Sequence, residues 1–130
     1  MTDKLNVSMI LCKEVEVKDG ALLSIKGLFE SIDEENLDSP VEVVMNISSI
    51  QLDPTKLVIK IAKKEEEGLV TRPFQTYEVK GTVDRMYGFK LKKEDLKGKG
   101  FYSLLVYAAE DAEKIDTEKD LKLVKRFSVK

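Results

Sequence analysis

From Leu5 onward the chain alternates in character, and that alternation limits its fold more than any other feature. Odd positions read Leu5, Val7, Met9, Leu11, Lys13, Val15 and Val17, whereas the even positions include Asn6, Ser8, Glu14 and Glu16. A period of two marks an extended strand with one buried and one wet face, because successive Cβ atoms point to opposite sides of a sheet. The habit returns at Val41, Val43, Met45 and Ile47, and again at Leu57, Ile59 and Ile61. It recurs at Tyr77, Val79 and Val83, then Tyr87, Phe89 and Leu91, then Tyr102, Leu104, Val106 and Ala108, and finally Leu121, Leu123, Phe127 and Val129.

No segment has the length and 3.6-residue spacing that a βαβ crossover requires, so a parallel sheet is not expected. Segments of this kind at roughly ten-residue spacing, with turn signals between them, predict an all-β fold. The expectation is an antiparallel β-sandwich of about seven or eight strands, Ig-like or C2-like, with at most one or two short helical turns. The 130 residues fall within the size of one domain, taken as 1–130, and 42% apolar residues suffice for its core. There is no internal repeat and no low-complexity tail.

Turn chemistry divides the strands. Lys18-Asp19-Gly20 reads as a three-residue hairpin loop with Gly20 in the left-handed position, which sets Val15 opposite Leu23, Leu11 opposite Gly27 and Met9 opposite Phe29. A two-residue Asp-Gly turn would instead place Val17 opposite Leu22 and put the two apolar faces on opposite sides. In the expected register Gly27 is a core-facing strand glycine, a kink or close sheet contact rather than a bare approach for a ligand. Leu52-Asp53-Pro54-Thr55 reads as the turn of a further hairpin, and the charged block closed by Gly68 as a strand end and turn. Residues 92–96 read as a single helical turn, 98–100 as a loop, and 110–120 as an acidic loop or short helix. The strand order between Glu65 and Asp95 stays open.

That register also makes a patch on the nominally wet face: Ile10 opposite Leu28, with Leu22 and Ile32 nearby. An apolar patch of this kind calls for cover, and a homodimer through Ile10, Leu22, Leu28 and Ile32 is the expectation drawn from it.

Short motifs near the two ends resemble an uncharacterised bacterial family of small β-sandwich domains. They are Ile10-Leu11-Cys12, then Asp19-Gly20-Ala21-Leu22 and Ile25-Lys26-Gly27-Leu28-Phe29, with the later Gly100-Phe101-Tyr102-Ser103-Leu104 and the closing strand to Val129. The resemblance covers about half of the chain, with a loose match from Glu65 to Asp95. It implies a sandwich, and it implies no activity, substrate or catalytic residue.

Charge and chemistry narrow the functional classes. Lys and Arg number 22 against 24 Asp and Glu, a net charge of −2 with both signs interspersed. Duplex nucleic acid is therefore not an expected partner, since its phosphates call for a concentrated basic surface. The one cysteine, Cys12, has no internal disulfide partner, which fits a reducing cytoplasm. The first apolar run meets a charge within a few residues, so neither a signal peptide nor a membrane span is expected.

The chain has no histidine. That removes the usual general base, the partner of a serine or cysteine nucleophile and the commonest transition-metal ligand, so no metal and no cofactor are expected. Carboxylates remain: Asp33, Glu34, Glu35 and Asp38 in one expected loop, and Glu110, Asp111, Glu113 and Asp116 in another. Neither has the ligand spacing of a calcium loop. Cys12 would stand beside Lys26, an arrangement that lowers a thiol pKa, though a small apolar filler is the plainer reading. Tyr77, Tyr87, Phe89, Phe101 and Tyr102 with Lys80, Lys90, Lys92 and Lys93 have the composition of a stacking platform for single strands, but strand aromatics are more often core.

The expected function is accordingly a cytoplasmic, non-catalytic binding or assembly module that meets a protein partner or itself. The contact surface would be a sheet edge, the Ile10 and Leu28 face or the end loops. Two alternatives come from other classes: a histidine-free, carboxylate-dependent hydrolase, and a small phage or mobile-element inhibitor of a host nuclease.

Overall fold

The computed structural model describes residues 4–12, 14–18, 21–26, 31–32, 41–65, 68–96 and 98–130; for 14–32, 65 and 69–73 it describes the course of the main chain. The strands are β1 (Leu5–Cys12), β2 (Glu14–Lys18), β3 (Ala21–Lys26), β4 (Ser31–Ile32), β5 (Val41–Glu65), β6 (Gly68–Leu91), β7 (Gly100–Ala109) and β8 (Leu121–Val129). Among the described residues one 3-10 turn, Lys93–Asp95, lies where a helical turn was expected. The protein is thus nearly all-β, a curled antiparallel sheet open as a half-barrel. Its one parallel pairing among the described residues joins the two-residue β4 to the end of β8.

The organising element is the β5–β6 ribbon, 25 residues paired with 24. Its first half pairs with β1, with Leu11 opposite Val43, Met9 opposite Met45 and Leu5 opposite Ser49. Its second half pairs with β7, from Lys56 opposite Ala109 to Lys63 opposite Tyr102, and β7 then pairs with β8. On the core side the odd positions of both halves are buried as the alternation predicts. Val43, Met45, Ile47, Leu57, Ile59, Leu91, Leu104 and Val106 are buried in one core with Leu11. Each such side chain contributes roughly 1.5–3 kcal/mol of burial, which outweighs the cost of fixing an extended backbone only because many are pooled.

The turn expected at Leu52-Asp53-Pro54-Thr55 is not a chain reversal. The register slips between Ser49 and Leu52 and again between Leu52 and Thr55, and Gln51 takes a left-handed φ of 47°. Both flanks keep the same partner, β6, so the residues bend one strand rather than separate two. Pro54 falls in a gap of the ladder, where its missing N–H costs no bond. Opposite Leu52 stands Gly81 with φ of 75°, and the bend is pinned by hydrogen bonds: Ser49 Oγ donates to the Gly81 carbonyl at 2.8 Å, Gln51 N to Thr82 Oγ1 at 3.0 Å and Ile50 N to the Lys4 carbonyl at 3.0 Å. The hairpin turn read at the charged block is present, with Glu65 paired to Gly68.

The first hairpin differs from expectation. β1 pairs with β5, which sets Leu11 opposite Val43 and Met9 opposite Met45, and the partners expected for these two residues on the returning strand are not among those described. Gly20, Gly27, Leu28 and Phe29 lie outside the described residues. β2 and β3 form a separate ribbon in which Lys18 pairs with Ala21 and Val17 with Leu22. This is the pairing that a two-residue connection gives, and its parity conflict is removed one step further in. A bulge between Glu16 and Val17 restores odd to odd, so Val15 faces Ile25 rather than Leu23.

Candidate functional site

The outer face of β5, β7 and β8 departs from simple alternation. Val58 and Ala62, at positions read as wet, are 4% and 0% exposed. They pack with Leu105 and Tyr107 in a second apolar cluster, against which Ile115, Leu121 and Val124 also rest. Ladder register explains the grouping: Val58 is opposite Tyr107, Ala62 opposite Ser103, Ser103 opposite Arg126 and Leu105 opposite Val124. Ile115, from the loop between β7 and β8, roofs the Tyr107 end. Lys60 Nζ stands 5.5 Å from the centre of the Tyr107 ring, a cation–π distance.

The same face carries a hollow of about 700 Å³. Phe101, Ser103, Leu105 and Tyr107 of β7 line it with Val124, Arg126 and Ser128 of β8 and Lys64 of β5. Phe101 is 69% exposed, although its neighbour Tyr102 is buried on the opposite face. Beneath the floor the Tyr102 and Phe127 rings stack at 5.5 Å and 13°, and Tyr102 Oη donates to the Gly98 carbonyl at 2.7 Å. The floor is thereby held by the core. Among the described residues no Asp or Glu lines the hollow. Among the described residues the ion pairs are Lys56 with Glu78 and Lys90 with Glu42, so neither Lys64 nor Arg126 is neutralised by one of their carboxylates. In a protein of net charge −2, this is a local cationic and aromatic site.

The acidic loop 110–120 is built differently. The Asp111 carboxylate accepts from Glu113 N at 2.9 Å, and the Asp116 carboxylate accepts from Glu118 N at 3.0 Å and Lys119 N at 3.1 Å. Asp120 Oδ2 in turn accepts from Asp116 N at 2.8 Å. The Lys119 and Glu118 amides hold the Asp116 carboxyl below its ordinary range. These oxygens fold the loop on itself, as Asx turns do. Among the described residues no three acidic or cysteine side chains gather as a metal site. Asp33, Glu34, Glu35 and Asp38 lie outside those residues. A smaller hollow of about 280 Å³ near the β5 bend includes Glu110 and Asp120 together with Lys4 and Lys122, so its charges balance.

The remaining sequence candidates are dispersed. Ile10 pairs with Val44, Leu22 with Val17 and Ile32 with Val129, which puts them on three different ladders; Leu28 lies outside the described residues. In the described ribbon Leu22 stands opposite Val17, a register different from the one that joined these four residues. Cys12 is buried opposite Glu42, with Sγ 3.6 Å from the Glu42 carbonyl, while Lys26 pairs with Glu14. In the ladder Lys26 therefore stands opposite Glu14 and not opposite Cys12. Phe89 and Tyr102 are core residues, and Tyr77 is packed 4.8 Å from Tyr87. Burial first, and then Tyr87, push the Tyr77 phenol up. Of the five aromatics read as a platform, Phe101 is the exposed one. Its signal was in the sequence, because Phe101 and Tyr102 are adjacent and cannot both face one core.

No family model matches the chain, and no curated protein matches it. Among solved structures, a β-glucosidase from Listeria innocua in complex with gluconolactone matches with a TM-score of 0.53 and 12% identity, over 95% of this chain and 16% of that one. An alkylpurine DNA glycosylase from Pseudomonas fluorescens, bound to DNA containing an abasic site analog, matches with a TM-score of 0.51 and 9% identity, over 98% of this chain and 30% of that one. An immunoglobulin-like protein from Pseudomonas aeruginosa matches with a TM-score of 0.42 and 14% identity over 98% of each chain. The chain thus spans less than a third of either enzyme, and at these identities the two likenesses are of fold. Among the described residues no helix is long and apolar enough to cross a membrane.

Proposed function

We propose that the chain is a non-catalytic binding module, an Ig-like sandwich in which the two halves of β5 lie in facing layers, and that its contact surface is the open end of the outer face of β5, β7 and β8. The layered reading is supported by the bend at Gln51, which gives each half of β5 its own partner, β1 or β7. The observation that carries the functional reading is Phe101, exposed at a hollow whose floor is held by the core. A phenylalanine left in water forgoes roughly 1.5–3 kcal/mol of burial, and an exposed aromatic beside unneutralised cations has the composition of a contact site. The hydrolase alternative has less support, because the Asp111 and Asp116 carboxylates are engaged by loop amides.

Ligand-observed NMR with mixtures of neutral, cationic and anionic small molecules tests the reading. Binding of one class that disappears in Phe101→Asp, with the folded spectrum kept, is the expected result. Turnover of glycosides or phosphate esters that is abolished by Asp111→Asn or Asp116→Asn, with no binding at Phe101, would overturn it in favour of the hydrolase.

A further inference from the structure

The lining of the hollow beside Phe101 has a chemistry that selects among ligands. Resting on the proposal that this hollow is a contact surface, we infer that its ligand is a small amphipathic anion, with an apolar ring or branched body against Phe101 and Leu105 and an acid group held between Lys64 and Arg126. The ladder supplies the geometry. Ala62, Ser103 and Arg126 stand in one row across β5, β7 and β8, and Lys64 lies two residues beyond Ala62 on the same face. With neighbouring strands about 4.8 Å apart, the two cations rise from the strands on either side of β7, and Phe101 and Ser103 lie between them.

Each alternative occupant meets a specific obstacle. A cation finds no carboxylate among the described residues of the lining. A neutral apolar body would cover Lys64 and Arg126 in part without giving either a partner, which costs desolvation with no return. An extended polyanion would gain few phosphate contacts here, because Lys64 and Arg126 are the only cations among the described lining residues. A single acid group meets both cations through charge-assisted hydrogen bonds, and the serine hydroxyls of Ser103 and Ser128 add donors beside them. A hollow of about 700 Å³ is also the size at which small organic ligands are held.

The test uses the full chain, amide-resolved NMR and three probes: a panel of aryl and branched alkyl carboxylates, the neutral primary amides of the same acids, and a short oligothymidylate. The carboxylates are expected to shift the amides of Phe101, Ser103 and Arg126 and to bind about tenfold more tightly than their amides, a difference of about 1.4 kcal/mol. Lys64→Ala and Arg126→Ala should each remove most of that preference and leave the weaker amide binding unchanged. Phe101→Ala should weaken both probes alike. If acids and amides bind equally, or the two charge variants leave their ratio intact, the anion is the wrong class while the binding surface stands. Tighter binding of the oligothymidylate than of any acid would replace the small ligand with a single strand. If no probe shifts these amides, the inference fails and the contact surface falls with it.

Discussion

Ser49 and Gly81 are joined across the β5–β6 ribbon at the point where both strands leave regular register, the serine hydroxyl donating to the glycine carbonyl at 2.8 Å. Ser49 is 3% exposed, the one polar side chain buried to that degree among the described residues. Its position follows from the bend: a slipped ladder leaves a carbonyl without its strand partner, and a short hydroxyl supplies one.

Ser49→Ala should therefore cost about 1–2 kcal/mol, because it leaves the Gly81 carbonyl without a donor in a site that water enters poorly. The midpoint of urea unfolding should fall with no change in slope. An unchanged midpoint would show that the hydroxyl only accompanies the bend.

The two glycines of β6 that flank this region separate backbone strain from crowding. A Cβ at either Gly81 or Gly88 meets nothing within 4 Å, but only Gly81 has a left-handed φ. Gly81→Ala is expected to destabilise by about 1–2 kcal/mol through its φ alone. Gly88→Ala should be neutral or stabilising by up to about 1 kcal/mol, since it removes freedom from the unfolded chain. Thermal unfolding of the pair compares them directly, and a similar loss for both would mean that φ at Gly81 is not the cause.

The faces of the strands were legible and their neighbours were not. Alternation at Val41 to Ile47, Leu57 to Ile61 and Tyr102 to Ala108 assigned the core side correctly, because a period of two depends only on one strand's own geometry. It carries no information about which strand lies alongside. Leu11 suits Val43 no better than it suits other apolar strand positions, and its pairing there belongs to the whole sheet. Asp53-Pro54 has genuine turn chemistry, yet the shared partner β6 turns that chemistry into a bend.

The second apolar face follows the same logic. Leu104, Leu105, Val106 and Tyr107 are apolar at both parities, the mark of a strand covered on both sides, and Val58 and Ala62 answer them across the ladder. The hollow beside Phe101 could not be read this way. It is built by side chains of three strands, β5, β7 and β8, and belongs to no single one of them.

The roof over the Tyr107 end can be probed at Ile115, which packs on the Val58, Leu105 and Tyr107 cluster. Ile115 is only partly buried, so Ile115→Ala should cost about 1–2 kcal/mol, below the range for fully buried isoleucine. Hydrogen exchange should rise at the amides of the loop and of β8 near Leu121 while the β1–β5 ladder keeps its protection. Equal acceleration in both places would mean that the second cluster is not a separate unit of packing.

Acid should loosen the same loop before it unfolds the sheet. Asp116 has a folded-state pKa lowered by the Lys119 and Glu118 amides, so its ionised form is favoured by folding. A lowered acid pKa contributes stability that is present above the unfolded value, near 3.8, and is lost as pH falls through the folded one. Side-chain carboxyl NMR should place the Asp116 midpoint below the ordinary aspartate value near 3.8, and the Glu118 and Lys119 amides should shift with the same midpoint. Asp116→Ala should remove that shared transition and raise exchange at both amides at neutral pH, whereas Asp116→Asn, which keeps an acceptor oxygen, should remove the titration and retain most of the protection. Amides that titrate unchanged in the alanine variant would show that another carboxylate orders the loop.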